Sequence, residues 1–410
     1  MKKRFWEILH DELKELGFTP SKADPQVWMR PTKDGRAYEY IAVYVDDLAI
    51  AAEDCKSICE ALKEKCGFKL KGDGPLTYHL GCDYIREPDG TLFATPKKYI
   101  GKMISWYESK YKEKPKKRKT PLEPNDHPEL DTTMEVDDDQ TKDVQSMVGQ
   151  FQWLVALGRI DIFSAVTTLS RYRIKPREGH VKRCKGVFGY LADMSEGGIR
   201  YRTQEPDMSG LPSQEFDWSR TVYGDVKEIT PRDAPTPRGK HVVTITYVDA
   251  NLYHDHISGR ALTAVLHLLN GTPIDWYCKR QATVEAAMYG SEFVASRTAV
   301  DQIVDLRYTL RYLGVPVRDK SYMFGDNKSV TISCTVPQSP LEKRHHALSY
   351  HRVREAIAAG YVAYYHIDGD KNPADILSKH WAFVKIWPML KALLFWRGDT
   401  NEIPGTVKTK

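Results

Sequence analysis

The run His241-Val242-Val243-Thr244-Ile245-Thr246-Tyr247-Val248, closing on Asp249-Ala250, decides the reading of the fold. Its β-branched and aromatic side chains suit a pleated strand, and it sets a carboxylate at the strand's end. Further strands are expected at 261–269 and 274–278, joined by Asn270-Gly271, a pair that accepts the positive φ angles of a tight hairpin. A long helix follows from about Val284, with Phe293, Val300, Ile303, Leu306, Leu310 and Leu313 along one face and Gly314 as its stop. Beyond it the pattern gives a strand at 321–324, a helix from Asn327, a helix at 350–359 and a strand at 361–367. The last helix opens at Asn372-Pro373, an N-cap residue followed by proline at the first helical position. Strands interleaved with helices over 241–382 make an α/β domain.

Four acidic residues punctuate this domain. Asp249 ends the first strand, and Glu292 lies in the first turns of the long helix. Asp326 closes a strand in Phe324-Gly325-Asp326-Asn327, and Asp375 opens the last helix in Ala374-Asp375-Ile376-Leu377-Ser378-Lys379. Carboxylates at strand ends and helix starts can converge at one sheet edge, where divalent cations would meet a phosphate. The chain has 55 acidic residues, so number alone carries little; order and neighbours carry the case.

Upstream, Tyr44-Val45-Asp46-Asp47 sits between the apolar stretches 40–45 and 48–52. Two aspartates at such a turn could hold metal against phosphates, or form an ordinary acidic hairpin tip, since aspartate favours turns. Helices are expected at 6–16, ended by Gly17, and at 56–65. A hairpin at 80–85 and 91–94 surrounds Pro88-Asp89-Gly90, and three helices should occupy 145–157, 160–172 and 180–191. Residues 195–240, rich in Pro, Gly, Ser and Asp, read as a linker.

The stretch Leu16-Gly17-Phe18, Ala23-Asp24-Pro25 and Tyr44-Val45-Asp46-Asp47-Leu48 resembles the second half of the reverse transcriptase palm in copia-type LTR retrotransposons. Leu80-Gly81 with Lys97-Lys98-Tyr99-Ile100 looks like their primer grip and the start of the thumb. Thr120-Pro121-Leu122, Gly149, Arg159-Ile160-Asp161-Ile162, Leu169-Ser170-Arg171, His180 and Tyr190-Leu191 match their thumb and connection. The acidic quartet, with Ile274-Asp275-Trp276 and Lys279-Arg280-Gln281, is similar to their ribonuclease H. The resemblance implies an α+β chain with a truncated palm over 1–95, a mostly helical thumb and connection over 96–194, the linker, a ribonuclease H-like domain over 241–382, and a closing helix and tail over 383–410.

It implies a function as well: hydrolysis of the RNA strand of RNA/DNA hybrids by two metal ions, Mg2+ or Mn2+, leaving 3′-hydroxyl and 5′-phosphate ends. Asp249 would bridge both ions, Glu292 and Asp326 would favour one, and Asp375 the other. Asp46 and Asp47 would be metal ligands of the polymerase site. That site also needs an aspartate from an earlier palm strand, which this chain does not contain, so polymerisation is not expected of it alone. Lys279, Arg280, Lys328, Lys343 and Arg344 are the expected phosphate contacts. His345, His346, His351 and His366 would position substrate, support structure or move a proton. The alternatives are a non-catalytic nucleic-acid-binding remnant, and a part of a longer Pol polyprotein with RNA-directed DNA polymerase activity.

Composition limits the classes further. With 41% hydrophobic and 28% charged residues over 410 positions, the chain can bury two or three ordinary cores. A net charge of +5 permits a polyanionic partner. The basic run from Lys110 to Lys119 is a candidate phosphate contact, a nuclear address or a solvated helix end. Seven scattered cysteines without a CxxC argue for reduced thiols in an intracellular protein, not a disulfide framework or a zinc site. No window suits a signal peptide or a membrane span. The stripe Trp381, Phe383, Ile386, Trp387, Leu390 and Leu394 is expected to dock as a closing helix.

Overall fold

The computed structural model describes residues 2–66, 70–72 and 74–395. Trp396 and the tail 396–410 lie outside them. The chain forms two compact units of mixed α and β structure. One comprises 1–79, 229–242 and 304–319, and the other 80–228, 243–303 and 320–410.

In the smaller unit, strands Thr19–Pro20, Val27–Pro31, Tyr38–Tyr44 and Asp47–Ala51 form an antiparallel sheet in sequence order. Along Tyr38–Tyr44 the side chains of Glu39, Ile41 and Val43 are buried while Ala42 and Tyr44 face out, the period of two that a half-covered strand requires. Helices Lys2–Glu15 and Cys55–Cys66 bring Leu9, Leu13, Ile58 and Leu62 into one core with Trp28, Ile41 and Val43. The later segments join by backbone acceptors. Tyr40 Oη donates to Leu313 O at 2.6 Å, and the Arg238 N–H donates to Gly314 O at 2.9 Å.

The larger unit is built on a five-stranded sheet. Thr244–Asn251 is central, with Leu262–Leu269 and then Thr272–Arg280 antiparallel on one side, and Ser321–Gly325 and then Val362–His366 parallel on the other. The central strands are buried on both faces, and they read as near-continuous apolar runs for that reason. Asn270 and Gly271 take φ of 47° and 76° in the hairpin expected of them.

Two expectations are corrected. Residues 195–240 are not a free linker: the boundary expected at 194 falls inside the larger unit, which takes in 195–228, while 229–242 belong to the smaller one. Ile199–Tyr201 pairs antiparallel with Leu92–Thr95. Gln214 accepts from the Tyr364 N–H at 3.0 Å and donates to the Tyr364 carbonyl, so its amide covers the open edge of Val362–His366. An edge cover needs polar backbone mimicry and not apolar periodicity, which is why this stretch looked unstructured. The helices Lys97–Tyr111, Asp138–Ala156 and Glu178–Asp193 share one core with the sheet, through residues such as Phe151, Phe188, Tyr190, Tyr247 and Leu266. The closing stripe packs there too: Ile386, Leu390 and Leu394 of Phe383–Leu390 and the turn beyond are each 1% exposed or less.

Candidate functional site

Each acidic residue of the quartet is placed by a different local device. Asp249 lies inside the central strand, which runs on to Asn251, and it stands opposite Ala264. On the other side Val248 is level with Gly325, so Asp326, the next residue, emerges beside it. Glu292 is carried in by the second turn of helix Met288–Tyr312, and its Oε1 accepts the Ala250 N–H at 3.3 Å. Oxygen atoms of Asp249, Glu292 and Asp326 all lie within 4.8 Å of one another.

Asp375 begins a short helix, Asp375–Ser378. Asn372 fixes that helix to the strand: its side chain donates to Val248 O at 2.9 Å and accepts the Ala374 N–H at 3.1 Å. Four residues on, Lys379 completes the arrangement. Its ammonium contacts Asp375 Oδ1 and stands 3.6 Å from Asp249 Oδ1, while Ser378 donates its hydroxyl to Asp249 Oδ2.

Burial dominates the electrostatics. Asp249, Glu292 and Asp375 are at most 3% exposed. Burial, then the charges of Asp249 and Asp326, push the Glu292 carboxyl well above the usual range, and burial with Asp249 raises Asp326. Burial and Asp249 carry Asp375 up to about 7 against the pull of Lys379. Burial works against the Lys379 ammonium, but Asp249 and Asp375 outweigh it and its pKa rises. Among the described residues Lys379 pairs with Asp249 and Asp375, and no ion pair reaches Glu292 or Asp326. Four carboxyls thus share one ammonium, and the cluster without metal holds protons on Glu292, Asp326 and Asp375 more readily than free carboxyls do. An all-oxygen donor set of this kind fits a hard divalent ion such as Mg2+ or Mn2+.

The other expected residues fare differently. Asp46 and Asp47 are exposed, and the turn is Val45-Asp46, with Asp47 already paired opposite Tyr44. Among the described residues no metal-holding group includes either aspartate. Lys279, Lys328, Lys343 and Arg344 are exposed. Arg280 instead contacts buried Asp255, which Arg171 also holds at 2.7 Å, so its charge is engaged in the fold. His366 Nε2 lies 3.1 Å from Asp326 O, and His351 Nδ1 lies 2.8 Å from Tyr223 Oη. Sequence reasoning passed over Asn372 as more than a cap, and passed over Ser378 and Lys379 altogether. The Asp375/Lys379 spacing of four on a helix was the available signal for the lysine.

No family model matches the chain. Among curated proteins it is 25% identical over 380 residues to the retrovirus-related Pol polyprotein from transposon RE2 of Arabidopsis thaliana, covering 92% of this chain and 23% of that protein. It is 27% identical over 303 residues to the putative transposon Ty5-1 protein YCL074W of Saccharomyces cerevisiae, covering 72% of this chain and 83% of the relative. The chain thus spans about a quarter of the length of the plant polyproteins it matches. Among solved structures, LC11-RNase H1 in complex with RNA/DNA hybrid aligns at a TM-score of 0.25 and 12% identity, covering 32% of this chain and 88% of that one.

Proposed function

We propose that this chain, whose sequence matches copia-type Pol polyproteins over most of its length, is a retrotransposon fragment that hydrolyses the RNA strand of RNA/DNA hybrids. The observation that carries this reading is the convergence of Asp249, Glu292 and Asp326 within 4.8 Å, with Asp375 joined through Lys379. Asp249, Glu292, Asp326 and Asp375 would be the catalytic residues and would hold two Mg2+ or Mn2+ ions. When bound, these ions would polarise the scissile phosphate and lower the pKa of the attacking water.

The chain's own residues prepare that chemistry. Glu292 and Asp326, held neutral more readily than free carboxyls, surrender protons as positive charge enters. Ser378 and the Ala250 N–H orient one oxygen each of Asp249 and Glu292, so the ligands meet a cation already aimed. Lys379 balances Asp249 and Asp375 until substrate and cation arrive. Exposed Lys279, Lys328, Lys343 and Arg344 contact backbone phosphates, since a hybrid is recognised by shape, phosphates and 2′-hydroxyls and not by base edges.

Residues 1–95 are the second half of a polymerase palm, and the helices that follow Thr95 are its thumb and connection. Among the described residues no metal-holding group joins Asp46 or Asp47 to the further ligands that two-metal polymerisation requires. The coverage of the plant relatives favours a second statement, that this sequence acts within a longer Pol polyprotein. The test is purified protein with labelled RNA/DNA hybrid and Mg2+, beside Asp249→Asn. Cleavage lost in the variant supports the reading. Binding without cleavage by folded wild-type protein overturns it in favour of a non-catalytic remnant.

A further inference from the structure

The segment that leads into the Glu292 helix meets a second group of ligands with different chemistry. Glu285 and His346 are buried, at 7% and 5% exposure, and His345 stands at the rim. One donor atom from each lies within 4.8 Å of the others. His346 Nδ1 is 3.8 Å and His345 Nε2 is 4.0 Å from the same atom, Glu285 Oε2. Both separations exceed a hydrogen bond. Two imidazoles thus address one carboxylate oxygen without bonding to it.

The surroundings hold this arrangement in place. Thr283 donates its hydroxyl to Glu285 Oε1 at 3.2 Å, which leaves Oε2 turned to the rings. Phe293 stacks on His346. A Cβ at Gly290 would stand 2.5 Å from both Glu285 Oε2 and His346 Cε1, so only glycine lets the helix start close over the pair. We propose that Glu285, His345 and His346 bind a divalent ion of the zinc class, separate from the carboxylate cluster.

Two imidazoles and a carboxylate suit zinc better than magnesium. Tetrahedral bonds of about 2.0–2.1 Å set ligands about 3.4 Å apart; the two imidazole–carboxylate separations, 3.8 and 4.0 Å, each close by about half an ångström, and the rim position of His345 lets its ring move in. Three protein ligands leave a fourth position for water. The ion would pin the 283–290 segment, and with it the start of the helix that carries Glu292, to the turn Arg344–His346. The other mixed group, His127, Glu129 and His256, differs: the His127 ring and the His256 N–H lie at hydrogen-bond distance, 2.9 and 3.1 Å, from Glu129 Oε1.

The test uses the full chain, stripped with a chelator and then saturated with Mg2+ to fill the all-oxygen cluster. Zn2+ is titrated by calorimetry, and Co2+ by visible absorption. The expected result is one Zn2+ per chain, retained in Asp249→Asn and weakened about tenfold or more in both His345→Ala and Gly290→Ala. His345 is exposed, so its variant should fold, and circular dichroism checks that it does. Zinc uptake unchanged by His345→Ala, or lost in Asp249→Asn, or absent from folded wild-type protein, would overturn the proposal.

Discussion

Two aspartates follow Tyr-Val in this molecule, one in each compact unit, and they have opposite fates. In Tyr44-Val45-Asp46-Asp47 the strand ends before the acid, the hairpin turns, and both carboxylates face water. In Tyr247-Val248-Asp249 the strand continues through the acid, and neighbours on both sides bury it. The same three letters give a solvated turn in one place and a site in the other. The difference comes from what the rest of the chain brings: Asp326 from an adjacent parallel strand, Glu292 from a helix, and Asp375 with Lys379 from another. Burying several carboxyls around one ammonium makes them costly to ionise, which is why the proposed cation belongs at Asp249, whereas among the described residues no metal-holding group includes Asp46.

The largest effect should come from exchanging the two. Asp249→Asn should lower hybrid cleavage by on the order of 10³-fold, several kcal/mol of transition-state stabilisation. Asp46→Asn should leave it unchanged. Cleavage rates of the two variants measured side by side decide the matter, and equal losses would erase the contrast.

Lys379 supplies the next test. It is the positive charge against Asp249 and Asp375, and its side chain is 37% exposed, so solvent weakens the pair. Lys379→Met should destabilise the metal-free protein by about 1–3 kcal/mol, less than a fully buried pair would. Mg2+ should restore more stability to this variant than to the wild type, as read from urea midpoints. An unchanged midpoint without metal would mean that the lysine does not balance the cluster.

The outline of the larger unit was legible because its signals are local. Asn270-Gly271 specified a hairpin, and the Val/Ile/Thr/Tyr run 242–248 specified a strand. Asn327 was read as a helix start and caps Lys328–Thr335 through the Val330 N–H at 3.1 Å. The candidate site was legible only as a set of acids in order. What joins them is tertiary: the second hydrogen bond of Asn372 goes to Val248, 124 residues away, and no periodicity marks it. Gln214 escaped notice for the same reason, since its partner is the backbone of a distant edge strand. Arg280 shows the converse error. A basic residue close in sequence to the expected site was read as a phosphate contact, and its charge is turned to Asp255.

The titration of Asp375 gives a smaller effect with a definite sign. Its folded pKa, about 7, lies above the ordinary carboxyl value, so between these two points the folded state binds the proton more tightly than the unfolded chain. Its stabilising contribution is present at low pH and is lost as pH rises toward and through 7. Metal-free Asp375→Asn should therefore gain stability relative to wild type as pH rises from about 4 to 7, with a widening gap in urea midpoint. In the wild type, Mg2+ affinity should rise across the same window, because binding must displace that proton. A constant gap would mean that the fold does not hold the proton on Asp375.

The smallest effect returns to the exposed turn. Val45 has φ of 57°, a left-handed conformation that crowds a β-branched side chain, and it is 48% exposed, so packing offsets little of the strain. Glycine favours the first central position of a two-residue hairpin when φ is positive there. Relief of about 1–2 kcal/mol, less the entropy glycine adds to the unfolded chain, leaves a gain of about 0.5–1 kcal/mol for Val45→Gly. The gain should appear as a higher urea midpoint of the smaller unit with hybrid cleavage untouched. A lower midpoint would mean that Val45 holds its conformation for a reason beyond the hairpin, and a fall in cleavage would link this turn to the chemistry at Asp249 and dissolve the contrast between the two aspartates.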